Sequence, residues 1–207
     1  KFLEKESGEN CFTYTKKPFT NFDAAIATGS NNAGRFFDHY FSSYPNIIRK
    51  NRNGVAVLDG SENIDELKSL GNDIIQYFGL GCRSVSKLFL PKGYNLNLIF
   101  DGLLPHADII QNSKYANNFD YNKAVFLMSQ FDFLENGFVI LKEAQEYSAP
   151  IACIHYEYYE NLSLLKKELN LNKNQIQCII SKLPITGAIS FGKAQKPELN
   201  EYADDID

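Results

Sequence analysis

The chain alternates short apolar runs with amphipathic stretches. Residues 24–27 form one such run, followed by a Gly/Ser/Asn turn and then by Phe36, Phe37, Tyr40 and Phe41 at helical spacing, stopping before Pro45. That order predicts strand, turn and helix, because residues three and four apart share a helix face and the residue before a proline leaves the helical region. "IIRKNRNGVAVLDGS" holds two β-branched runs around a polar turn and predicts two strands. Asn63 is a suitable N-cap for a helix whose apolar stripe is Ile64, Leu67, Leu70, Ile74 and Ile75.

Further on, "SVSKLFLP" predicts a strand, and "LNLIFDGLL" and "DYNKAVFLMSQF" predict helices, the second beginning near Asp120. The polar and aromatic groups of "YANNFDYNKA" are read as caps for that helix, with a pocket-lining role as the alternative. "GFVILKE" and "PIACIHYEY" predict strands, "LSLLKKELN" a helix and "IQCIISKLP" a strand. The expected fold class is α/β, a mostly parallel sheet with helices on both faces. Residues 1–22 read as a connecting segment and 23–207 as one domain, without internal repeat or low-complexity tract.

Composition narrows the function. With 207 residues, 44% hydrophobic and 22% charged, the chain can bury a sizeable core. Its net charge is −4 and its longest basic run is Arg49-Lys50-Asn51-Arg52, so neither a nucleic acid nor an anionic membrane is expected as partner. No apolar stretch reaches the roughly 20 residues of a membrane span. The N-terminus lacks a signal-peptide pattern, and the four dispersed cysteines (Cys11, Cys82, Cys153, Cys178) suit a reducing compartment. A soluble, cytoplasmic protein is the expectation. The missing initiator Met and the acidic end suggest a piece of a longer chain.

Two stretches could carry chemistry. Thr28-Gly29-Ser30-Asn31-Asn32-Ala33-Gly34-Arg35 closes a strand and opens a helix, where free N–H groups and the helix dipole suit a phosphate. There Gly29 would let a ligand approach the backbone, Ser30 would offer a hydroxyl and Gly34 would allow close packing; the same glycines also suit an ordinary corner. In "YFGLGCRSVSKLFLP", Cys82 lies between Gly81 and Arg83 where a helix hands over to a strand, a setting for either a nucleophile or a small structural residue. His39, His106 and His155 lack metal-ligand spacing and are expected at the surface or in the core, and the sequon at Asn161 matters only in a secreted protein.

Read together, "IATGSNNAGR" and the later "GLGCRSVSKLFLP" resemble the TGSxxxGR and glycine-cysteine motifs of the aldehyde dehydrogenase superfamily. Glu146-Tyr-Ser-Ala-Pro150, followed by an apolar run, resembles the family's E-x-F-G-P element, and "ISFGKAQKP" resembles its late F-G loop. The four follow the family's order over most of the chain. "SKYANNFDYNKA" and "FGKAQKPELNEYAD" are most similar to the LuxC-type acyl-CoA reductases. Where hydrolytic members carry a general-base glutamate in E-L-G-G-K, this chain reads "IIRKNRNG", with no carboxylate at residues 47–54. Loss of a water-activating base suits a reductase, which must hold its acyl-enzyme until hydride arrives.

The resemblance implies Cys82 as nucleophile toward an acyl-CoA, with its own backbone N–H as half of the oxyanion site. It also implies Gly29, Ser30 and Gly34 beside the phosphates of NADPH or NADH, Glu146 as acceptor for the nicotinamide ribose hydroxyls, and no metal. The family's oxyanion asparagine and adenine-binding elements precede the TGS turn, which implies that this chain alone binds cofactor weakly and turns over little. A homo-oligomer or a pathway partner of the full-length protein is compatible with this. The alternatives are an aldehyde-oxidising dehydrogenase with a relocated base and a non-catalytic α/β assembly module.

Overall fold

Strands β1 (Ala25–Thr28) and β2 (Asn46–Arg49) pair in parallel around helix α1 (Asn31–Phe41) in a computed structural model that describes residues 21–198 together with Lys5, Thr13 and Thr15. The expected strand, turn and helix are all present. Phe22, Phe37, Phe41 and Tyr44 form a chain of ring contacts with centroids 4.5–6.1 Å apart. These elements belong to the first of two compact units, Lys1–Asn51 and Arg52–Asp207, a division inside the span 23–207 expected as one domain. Most of the expected connecting segment 1–22, and Cys11 with it, lies outside the described residues.

The second unit is built on a seven-stranded sheet in the order β5-β6-β7-β4-β3-β8-β9. Its strands are β3 (Asn53–Val57), β4 (Val85–Pro91), β5 (Leu134–Glu135), β6 (Ile140–Glu143), β7 (Cys153–Tyr159), β8 (Ile176–Ile180) and β9 (Ala188–Ile189). Every pairing is parallel except that of the short edge strand β5 with β6. Val55, Ala56 and Val57 of β3 are all fully buried, which is why this strand reads as an unbroken apolar run: a central parallel strand is covered on both faces.

Helices provide that cover. Helix α2 (Ile64–Ile75) lays Leu67, Leu70 and Ile74, and α3 (Asn97–Leu103) lays Ile99 and Leu103, on one face of the sheet against Ala56, Leu88, Leu90 and Ile154. Leu165 and Leu169 of α5 (Leu162–Leu171) cover Val55, Val57 and Phe89 on the other. Helix α4 (Ser113–Met128) packs Tyr115, Phe119 and Phe126 onto Ile140, Ala152 and Cys153. The α/β class and the helices on both faces agree with the sequence pattern.

Several boundaries do not: β6 starts at Ile140 rather than Gly137, and β8 ends at Ile180 rather than Pro184. Helix α4 starts at Ser113 rather than near Asp120, and its cap is Asn112, whose side chain accepts from the N–H groups of Lys114 and Tyr115 at 3.1 Å each. The polar "SKYANN" is therefore helical: Tyr115 and Phe119 anchor it, and the buried Asn122 donates to the Ile151 carbonyl at 2.9 Å. Strand β7 starts at Cys153 rather than at Pro150, because Ala152 takes φ 63° and Cys153 N–H closes a turn onto the Pro150 carbonyl at 3.0 Å. Asn161 caps α5 through the Ser163 and Leu164 N–H groups.

Candidate active site

Helix α2 begins with a reciprocal cap: Asn63 accepts from the Asp65 and Glu66 N–H groups while Glu66 accepts from Asn63 N–H at 2.8 Å. Its other end is abrupt. Gln76 leaves the helical region, and Tyr77, Phe78 and Gly79 follow at φ 58°, 60° and 70°. Two consecutive aromatic residues in the left-handed region store about 1–3 kcal/mol each, which the surrounding structure must offset. The hook turns the chain straight into a β-turn, Gly81 to Ser84, closed by Ser84 N–H on the Gly81 carbonyl at 2.9 Å. Cys82 sits at the tip of that turn, exposed, whereas Cys153 and Cys178 are buried, and none of the three is in a disulfide.

The late loop that resembles the family's F-G element is fastened to this corner. The buried carboxylate of Asp73, one helical turn before the hook, accepts from Gly192 N–H at 2.6 Å and Ala194 N–H at 3.0 Å. Burial raises its pKa above the ordinary carboxylate value, with these two donors opposing. Arg83 Nε donates to the Ala194 carbonyl, and Gln195 donates to Ser84 Oγ at 3.2 Å. Asp73→Ala would leave the buried N–H of Ala194 and the half-buried N–H of Gly192 without acceptors, so a stability loss of about 3 kcal/mol is expected. Denaturant unfolding measures it, and the labelling rate of Cys82 reports the loosened corner.

Behind the turn, β3 approaches very closely. A Cβ on Gly54 would stand 2.6 Å from the Arg83 carbonyl oxygen and 2.8 Å from that of Ser84, and Gly54 N–H donates to the Ser84 carbonyl at 3.1 Å. The β3–β4 register then shifts, Gly54 opposing Val85 but Val55 opposing Lys87, which leaves Ser86 as an extra residue. A bulge of this kind turns neighbouring side chains to one face. Ser86 Oγ donates to the Tyr147 carbonyl at 2.7 Å and Lys87 Nζ to the Gln145 carbonyl at 2.6 Å. The carbonyl between them, that of Glu146, lies 2.9 Å from His155 Nδ1 on β7. A carbonyl only accepts, so Nδ1 carries the proton; burial lowers the pKa of this imidazole and favours its neutral form.

Lys87 is fully buried and also pairs with Glu157 at 2.6 Å, its ammonium over the rings of Phe89 and Tyr147 at 4.9 and 5.0 Å. The side chain of Glu146 is exposed and ionises below the ordinary value, chiefly through its own backbone N–H, with Lys142 and Lys87 adding. It lines an open concavity of about 520 Å³ with Gln145, Tyr147, Glu157, Glu168, Asn172 and Gln175. Cys82 and Glu146 thus share a scaffold: the first stands three residues before β4, and the loop of the second hangs from β4 side chains.

Gly29, Ser30 and Gly34 belong to the other unit, in the corner between β1 and α1. Ser30 caps α1 by accepting from Ala33 N–H at 3.2 Å, which leaves its O–H able to donate. A Cβ on Gly29 would meet Ala33 at 2.8 Å and one on Gly34 would meet the Lys50 stem at 2.8 Å, so both glycines permit close packing. His39 is exposed, His106 half-buried and His155 buried. Sequence reasoning passed over Asp73, Ser86, Lys87 and Gln195. A lysine inside the apolar run "VSKLFLP", and an aspartate beside the apolar stripe of α2, were the available signals.

No protein-family model and no curated protein matches the sequence. Solved structures do match the fold. An NAD-dependent aldehyde dehydrogenase from Sinorhizobium meliloti has a TM-score of 0.57 at 13% identity, over 82% of this chain and 41% of that one. A 1-pyrroline-5-carboxylate dehydrogenase from Thermus, with bound NAD, has 0.54 at 10% identity over 80% of this chain and 44% of that one. The proline utilization A protein of Bradyrhizobium japonicum has 0.54 at 12% identity over 83% of this chain and 23% of that one. The chain has an aldehyde-dehydrogenase-like fold, and it spans less than half the length of these three structures.

Proposed function

We propose that the chain carries the thiol half of a nicotinamide-dependent oxidoreductase that reduces an acyl-CoA thioester to its aldehyde. The observation that carries this reading is the exposed Cys82, held at the tip of a turn tied to α2, β3 and the late loop, in a fold shared with aldehyde dehydrogenases. Cys82 Sγ attacks the thioester carbon, a new C–S bond forms, and the bond to coenzyme A breaks with coenzyme A leaving as its thiol. The Cys82 N–H faces the oxyanion, a donor of a kind worth about 3 kcal/mol.

NADPH or NADH supplies the hydride when bound. The residues present suit parts of such a group, each within its own unit: in the second, an ionised, exposed Glu146 would accept from ribose hydroxyls, and in the first, taken by itself, the α1 N-terminus with the Ser30 hydroxyl beside Gly29 and Gly34 offers donors of the kind that hold a phosphate. Collapse of the reduced adduct on Cys82 releases aldehyde and restores the thiol. The lack of a carboxylate at residues 47–54 supports reduction, because the acyl-enzyme then meets no water-activating base there. The nearby acid Asp73 is buried and has both oxygens engaged.

The names of the structural neighbours favour a second reading, oxidation of an aldehyde to its acid. Product analysis of the full-length protein separates the two. Aldehyde formation from acyl-CoA and reduced cofactor is expected to exceed acid formation from aldehyde and oxidised cofactor; steady acid production at the higher rate overturns the reductase reading.

A further inference from the structure

We infer that Ser86, Lys87 and His155 are positioning residues for Glu146, a role that rests on the proposed function and extends it to residues to which the resemblance gives no role. Three consecutive carbonyl groups, those of Gln145, Glu146 and Tyr147, each meet one side-chain group of the sheet at 2.6, 2.9 and 2.7 Å. Loops ordinarily leave such groups to water and move accordingly. Here the backbone on both sides of Glu146 is fastened, while its carboxylate stays exposed. A carboxylate that must accept two hydroxyls at once gains affinity from being held in place beforehand, because little freedom remains to be lost on binding.

Lys87 is the least expected member. An ammonium with no exposure, on a central strand, is costly to desolvate, and replacing a buried ion pair by apolar groups often leaves stability unchanged or improved. Its presence therefore needs more than a contribution to stability. The Ser86 bulge aims it at the Gln145 carbonyl, Glu157 balances its charge, and Phe89 and Tyr147 fill the space around it. Register places His155 directly opposite Lys87, so β4 and β7 together present the three groups to one short loop.

The test uses the full-length protein with NADPH and NADH as probes, fluorescence titration giving cofactor affinity and intact mass giving the rate of Cys82 acylation by acyl-CoA without cofactor. Lys87→Met is expected to weaken cofactor binding about tenfold, Ser86→Ala about threefold and Glu146→Ala about tenfold or more. Lys87→Arg, which restores a donor and a charge, is expected to recover most of the loss. Acylation in Lys87→Met should stay within about twofold of the parent, a split that general loosening of the fold would not produce. If Glu146→Ala weakens binding while folded Lys87→Met and Ser86→Ala retain parental affinity, the positioning role is overturned and the function stands. If Glu146→Ala leaves affinity unchanged, the assignment of Glu146 to the cofactor falls, and the positioning role falls with it. Should Lys87→Met fail to fold, Ser86→Ala and His155→Gln decide by the same comparison.

Discussion

Cys82→Ala is expected to abolish acyl-CoA reduction, lowering turnover by at least about 10⁴-fold, because removal of a covalent nucleophile takes away the step on which the others depend. The same variant should lose the acyl adduct seen by intact mass, while Cys153→Ala and Cys178→Ala keep it, since those thiols are buried. Burial also raises the Cys153 pKa, to about 12, which leaves that thiol protonated at neutral pH and a poor competitor for an electrophile. Iodoacetamide should therefore label Cys82 ahead of the other two. An adduct that survives in Cys82→Ala, with turnover, would place the nucleophile elsewhere and end the covalent reading of this corner.

Gly54→Ala is expected to cost about 3 kcal/mol of stability and to slow Cys82 acylation with it. Its Cβ would fall 2.6 and 2.8 Å from two carbonyl oxygens of the Cys82 turn, and these are backbone atoms, unable to step aside by changing rotamer. Relief requires β3 and β4 to separate where Gly54 N–H donates to Ser84, losing that bond and disturbing the bulge that presents Ser86 and Lys87. Denaturant unfolding and acylation kinetics on one preparation check both effects. Unchanged stability would show that the strands can part at no cost, and the close approach would then have no bearing on the site.

Gly54 also clarifies the stretch where the aldehyde dehydrogenase pattern would place a glutamate. Its place in "IIRKNRNG" is where the chain must pass directly behind the Cys82 turn, a need that persists whether or not a glutamate precedes it. The glycine answers to packing, and under the proposed function the missing carboxylate answers to chemistry. A substitution series across residues 47–54 would separate the two demands.

Much of the secondary structure was legible because it follows from local rules. The Asn63 cap with Glu66 three residues later, the 3.6-residue stripe of α2 and the apolar runs of β3, β4 and β8 each depend on neighbours in sequence. Where the pattern failed, a distant partner had decided the outcome. The start of α4 read as capping residues because the packing partners of Tyr115 and Phe119, Ile140, Ala152 and Cys153, are distant in sequence. Likewise, nothing in "QYFG" announces two aromatic residues in the left-handed region; that conformation is imposed by the need to bring α2 into β4 within a few residues.

The sequence by itself determined the α/β class, the glycine corner with its cysteine and the order of the four motif-like stretches, since each is written in spacing and residue type over short distances. Tertiary structure alone decided that the late loop fastens to the corner through Asp73 and Arg83, and that Ser86, Lys87 and His155 grip the loop of Glu146. Those contacts join residues up to 121 positions apart. They exist because parallel strands that are remote in sequence lie side by side, and because one bulge sets which side chains face the loop, a register that no local pattern encodes.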